Sequence, residues 1–137
     1  MRSKPNGGFA MSGNRYLLDT NAVVALLAGK SNLEAKLSTA DWIGISIISV
    51  LEFLVFDGLS EADIRYFNAF LERVETVDLQ IGNNALLEKV ISLRQQHRLK
   101  LPDAVIAASA VVKDAVLVTA DRHFENLPIS VISPSNS

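Results

Sequence analysis

Cysteine is missing from all 137 residues. That excludes disulfides, thiolate zinc sites and a cysteine nucleophile, and it agrees with a cytoplasmic protein. Histidine is scarce: there are two, His97 and His123, and neither sits at a spacing typical of metal ligands. They read as solvated or locally hydrogen-bonded side chains, with contact to a phosphate or a base as the alternative. Excess positive charge is also lacking. The net charge is −2, so the basic surplus usual in nucleic-acid-binding domains is absent. Any nucleic acid must be attracted by local charge or a bridging metal. No apolar run is long enough to span a bilayer, and no membrane association is expected. The opening MRSKPNGGFAMSGNR has no apolar h-region and does not read as a secretory signal. Residues 1–14 are expected to form a flexible polar tail, with Met11 as an alternative start.

What the chain does have is apolar sequence, 49% of it, enough for one domain with a sizeable core. Residues 15–133 read as that domain and 134–137 as a short tail. Arg15–Leu18 is a central strand candidate. Thr20 or Asn21 caps a helix that stops near Gly29. Ser31 caps a short helix over NLEAKLSTA, and Trp42–Ile45 is a strand. Ser46–Phe56 mixes strand and helix signals; its length favours a helix from Ser46 to Gly58. Ser60-Glu61-Ala62-Asp63 starts another helix, with Ile64, Phe67, Phe70 or Leu71, and Val74 as its apolar stripe. Glu75–Leu79 is a short strand. Asn83 or Asn84 opens a long helix through Arg98, and Pro102 suits the first turn of the next, DAVIAASAVVK. That helix is apolar almost all round and is expected to be buried. Val116–Thr119 and Ile129–Ile132 are the last strands, the latter at an edge. This alternation implies an α/β fold with a mostly parallel sheet of about five short strands, covered on both faces.

Four acids occupy unusual places in this pattern. Asp19 ends the first strand at Asp19-Thr20-Asn21, and Asp121 follows Val116–Thr119. Chains of this class place their chemistry at the carboxyl ends of such strands. Asp103 lies in the first turn of the buried helix, and Glu52 lies within an apolar helix, where a charge needs a reason. Were all four to meet at one sheet edge, they would repel by ~4 kcal/mol per pair at ~4 Å and an effective dielectric near 20. Protons or a cation must compensate. An all-oxygen set favours Mg²⁺ or Mn²⁺ over zinc. Such ions typically activate water for phosphodiester cleavage.

In LLDTNAVV, the Glu52 helix, LPDAVIAASA and LVTADRHF, taken in order over Tyr16–Ile132, the chain resembles PIN-domain nucleases, specifically the VapC toxins of VapBC toxin–antitoxin pairs. The resemblance carries the family's acidic positions onto Asp19, Glu52, Asp103 and Asp121, as metal ligands and catalytic groups. It carries polar positions that orient the acids or a metal-bound water onto Asn21 and Thr119. It implies a three-layer αβα sandwich, Mg²⁺- or Mn²⁺-dependent endoribonuclease activity, a homodimer and a neutralising VapB-type antitoxin. The segment after Glu52, FLVFDGL, lacks the tyrosine-glycine ending of many relatives.

Plainer roles exist for each residue. Asp19 suits a helix cap, Asp103 complements a helix dipole, Asp121 suits an Asx-turn and Glu52 could pair with a buried arginine. Arg94, His97, Arg98 and Lys100, with Arg122, form a candidate surface for an RNA backbone, or a solvated basic helix end. Trp42, Phe53, Phe56, Phe67 and Phe70 are expected in the core or a dimer interface. Two other functions compete: a catalytically silent RNA- or protein-binding module on the same scaffold, and an aspartyl phosphatase or receiver domain. The latter lacks the second Asp of a D-x-D pattern at Asp19 and a lysine after a late strand.

Overall fold

The computed structural model describes residues 14–29 and 31–135. Most of the expected tails at 1–14 and 134–137 lies outside the described residues. Five strands form one parallel sheet: β1 (Arg15–Leu18), β2 (Trp42–Ser46), β3 (Glu75–Val77), β4 (Val116–Val118) and β5 (Val131–Ile132). Their order is β3-β2-β1-β4-β5. The helices are α1 (Thr20–Leu27), α2 (Leu33–Leu37), α3 (Ile47–Leu54), α4 (Glu61–Leu71), α5 (Asn84–His97) and α6 (Leu101–Val112).

Strand alternation sends side chains to two cores. Leu17 and Leu117 pack on one face with Leu86, Val90, Leu93 and the buried run Ala104–Ala110 of α5 and α6. Tyr16, Leu18 and Val118 pack on the other with Val23, Val50, Phe53 and Phe67 of α1, α3 and α4. The result is a three-layer αβα sandwich. Phe53 and Phe67 stack with ring centroids 3.9 Å apart.

Local chemistry sets the boundaries. Ser60 and Asp63 close a reciprocal capping box at the start of α4. Asn83 caps α5, and Arg98 ends it in the left-handed conformation, φ 57°. Ser46 ends β2 and caps α3 by accepting from the Ile48 N–H, so strand passes to helix without a loop.

Several expectations need correction. The cap of α1 is Asp19 rather than Thr20 or Asn21. The short helix is only Leu33–Leu37, with Asn32 at its cap position; Ser31 Oγ still accepts from the Leu33 N–H. The third strand stops at Val77, where pairing with β2 runs out at Ser46. The fifth shrinks to two residues. Ile64 is exposed, because α4 turns Phe67, Phe70 and Leu71 inward instead. Phe56 lies beyond the end of α3 and is also exposed.

Candidate metal centre

The register of the sheet builds the site. The chain runs outward from β1 to β2 and β3, then returns to place β4 on the other side of β1. That reversal opens a crevice at the carboxyl ends of β1 and β4. Leu18 pairs with Val118, so the next residues, Asp19 and Thr119, leave the sheet side by side. The Asp19 N–H bonds the Val118 carbonyl at 2.9 Å. Asp121 follows two residues on. Helix α6 returns toward β4 and so begins at the same edge, with Asp103 in its first turn.

Asp19 is 5% exposed, and its carboxylate is held from four directions. Oδ1 accepts from the Thr20 N–H at 2.8 Å and from Ser49 Oγ at 3.3 Å. Oδ2 accepts from Thr119 Oγ1 at 2.8 Å and from Asn21 Nδ2 at 3.4 Å. Asn21 also donates to Thr119 Oγ1 at 3.3 Å and accepts the Ala120 N–H at 2.8 Å. Thr119 Oγ1 accepts the Asp121 N–H at 3.0 Å. This network spans the mouths of β1 and β4 and fixes where Asp121 begins.

Asp103 is the opposite case. It is half-buried, and among the described residues no protein donor reaches its carboxylate. Burial foremost, then the neighbouring charges of Asp121 and Asp19, push its pKa above the ordinary aspartate range. His123 and Lys100 offset part of that push. Donor atoms of Asp103, Asp121 and His123 lie within 4.8 Å of one another. An electron-rich oxygen without partners, facing other acids, is what a divalent cation stabilises. The residues present therefore fit Mg²⁺ or Mn²⁺.

Glu52 stands apart from that grouping. It is exposed, whereas Ser49, Val50 and Phe53 form the inward side of α3. Among the described residues no buried arginine pairs with it; Glu52 Oε1 accepts from Thr20 Oγ1 at 2.7 Å, next to Asp19. Of the basic residues, Lys100 at the cap of α6 bears electrostatically on Asp103. Arg122 extends into solvent at 86% exposure, 3.5 Å from Glu125. Arg94 and Arg98 are exposed at the end of α5.

Sequence reasoning missed one residue that contacts Asp19. Ser49 is fully buried three residues before Glu52 on α3, and a lone hydroxyl on the inner side of an apolar helix was its signal. His123 is exposed and locally bonded to Asp121, as the reading of it as a solvated or locally hydrogen-bonded side chain expects. The 3₁₀ turn Arg122–Phe124 folds it back so that Nδ1 lies 3.0 Å from Asp121 Oδ1.

The profile of the PIN domain family matches residues 16–129. The chain belongs to the PIN domain family. Comparison with curated proteins gives no match. Among solved structures, it is similar to a chain of a toxin–antitoxin complex from Klebsiella pneumoniae, with 28% identity and TM-score 0.67, covering 89% of this chain and 99% of that one. It also shares its fold with VapBC2 from Rickettsia felis bound to a promoter DNA fragment, at 22% identity and TM-score 0.70 over 87% of this chain and 98% of that one. DNA-bound VapBC from Salmonella typhimurium matches at 23% identity and TM-score 0.70, over 87% and 97%.

Beside the acids, this PIN domain carries an apolar groove of about 340 Å³ between α1, α3 and α4. Val24, Leu27, Phe53, Phe56 and Tyr66 line it, and Thr20 and Glu52 join it to the metal centre. Among the described residues no helix is long and apolar enough to cross a membrane.

Proposed function

We propose that this PIN domain is a Mg²⁺- or Mn²⁺-dependent endoribonuclease, the toxin of a VapBC-type toxin–antitoxin pair acting in the cytoplasm. The observation that carries the reading is Asp103: an unpartnered, half-buried carboxylate that shares the sheet's switch point with Asp19 and Asp121. Asp103 and Asp121 would hold the cation directly. Asp19, braced by four donors, would complete the site from the sheet side, and Glu52 would act at its outer margin. A bound cation supplies a water of lowered pKa and neutralises charge developing on the phosphate. Asn21 and Thr119 keep Asp19 and the Asp121 backbone in place. Lys100 and Arg122, beside the acids, would contact the RNA backbone, with Arg94 and Arg98 farther along the same surface.

A VapB-type antitoxin fits the apolar groove. Phe56 and Tyr66 in its lining are 68% and 61% exposed, a large apolar surface to leave in water. A segment lying there and reaching past Glu52 could place a basic side chain among the acids and satisfy Asp103 as a cation does. The exposed Leu51, Leu54 and Val55 of and beside α3 offer surface for a homodimer.

The test is cleavage of total cellular RNA by purified protein with Mn²⁺, with Mg²⁺ and with EDTA, beside Asp19→Asn and Asp103→Asn. Discrete metal-dependent fragments, absent with both variants, are expected. Full activity in Asp103→Asn would remove the acid from the reaction. Intact RNA from folded, metal-loaded protein would favour a silent binding module.

A further inference from the structure

We propose that His123 is a nitrogen ligand of the cation site and gives it a preference for Mn²⁺ over Mg²⁺. The inference rests on the metal-centre reading above, and goes beyond an all-oxygen acid set. Three observations carry it. Among the described residues, one nitrogen of His123 belongs with Asp103 and Asp121 to a grouping whose donor atoms all lie within 4.8 Å. The distance of His123 Nδ1 from Asp121 Oδ1 is 3.0 Å. Two adjacent ligands of an octahedral ion with bonds of about 2.1 Å stand about 3.0 Å apart, so the pair has the separation of neighbouring coordination positions. Finally, the backbone sets the imidazole there. The His123 N–H donates to Asp121 Oδ1 at 2.9 Å, and the 3₁₀ turn is anchored by the fully buried Phe124. The side chain is 79% exposed, so it is held by its contact with Asp121 and not by core packing, and a cation between the two would take the place of that contact.

The chemical consequence follows from ligand type. Mg²⁺ prefers oxygen and dehydrates reluctantly, whereas imidazole suits the transition ions. One nitrogen donor therefore raises affinity for Mn²⁺, and more so for Co²⁺ and Ni²⁺, with little gain for Mg²⁺.

The experiment is Mn²⁺ binding to the full chain without affinity tag or RNA, followed by electron paramagnetic resonance and by competition with Mg²⁺. Pulsed spectra are expected to show nitrogen coupling to bound Mn²⁺ in the wild type and in His97→Ala, and none in His123→Ala. His123→Ala is expected to lose about tenfold or more in Mn²⁺ affinity, on the scale of metal-site perturbations generally. Its Mg²⁺ affinity should change by less than about threefold. Because the side chain is exposed, the variant is expected to fold, and circular dichroism checks this. Nitrogen coupling that survives in His123→Ala, or equal losses for both ions, would overturn the proposal. Protein that binds no Mn²⁺ would overturn it together with the metal centre. Nitrogen-coupled Mn²⁺ in protein that leaves RNA intact would support His123 as a ligand and count against the nuclease.

Discussion

Thr119 Oγ1 donates a 2.8 Å hydrogen bond to Asp19 Oδ2 across one hundred positions of sequence. The same oxygen accepts the Asp121 N–H, so one hydroxyl ties the acid after β1 to the acid after β4. Thr119→Val keeps the shape and removes these bonds inside a buried site. Leaving buried polar groups unpaired costs about 1–3 kcal/mol. Urea unfolding should show a loss of that size, and RNA cleavage should fall with it. Unchanged stability would mean that water replaces the hydroxyl.

Asp103→Asn should stabilise the metal-free protein. It removes a charge that is partly buried and faces Asp121 and Asp19. Thermal unfolding in EDTA is expected to give a higher Tm for the variant than for wild type. With Mn²⁺ at about 100 times its Kd, wild type gains about 2.7 kcal/mol, and the variant gains much less. A variant that is less stable in EDTA would show that repulsion is not the dominant effect at Asp103.

At the other end of the sheet, Gly44 leaves space for the Trp42 ring. A Cβ at position 44 would collide with Cη2 and Cζ2 of that ring. Gly44→Ala should displace Trp42 from its 2.9 Å bond to Glu75 and from the Arg15 guanidinium 4.9 Å above it. Overpacking of this kind costs about 1–3 kcal/mol. Trp42 is the sole tryptophan, so its fluorescence should shift to the red, which a steady-state spectrum reads directly.

Glu75 gives a pH dependence away from the metal centre. Hydrogen bonds from Lys113 and then Trp42 hold its pKa below the ordinary glutamate range. Because the folded value is the lower one, the stabilisation is present above the unfolded pKa and disappears as pH falls through the folded value. Glu75 is about half exposed, so the effect is small. Acid unfolding of wild type and Glu75→Gln should converge as pH drops below that window, with wild type more stable above it. Parallel curves throughout would show that the pairing with Lys113 does not discriminate between folded and unfolded protein.

The sequence made the sheet legible because parallel buried strands are continuous apolar runs: Tyr16–Leu18 and Val116–Val118 could hardly be anything else. It made Asp19 and Asp121 legible because each acid ends or follows such a run. The weaker readings failed where tertiary packing decides. Nothing local to Ile64 says that α4 will bury Phe67 and leave Ile64 in water. Glu52 looked like a buried charge because its neighbours are apolar, yet several of those neighbours, Leu51, Leu54 and Val55, are themselves exposed. The contact of His123 with Asp121 was not legible in detail because it depends on a three-residue turn, not on spacing. Ser49 joined the site only once α3 had been packed beside β1.

The order in which the acids occur along the chain has a consequence for synthesis. Asp19 and Glu52 are made well before Asp103, Thr119 and Asp121. While residues 53–102 are being made, a nascent chain holds only part of this set of acids, for several seconds at about 5–20 residues per second. Only when β4 slides in beside β1 do the two halves face each other. The switch point therefore also works as a timer, and the acids come together only after β4 has been made.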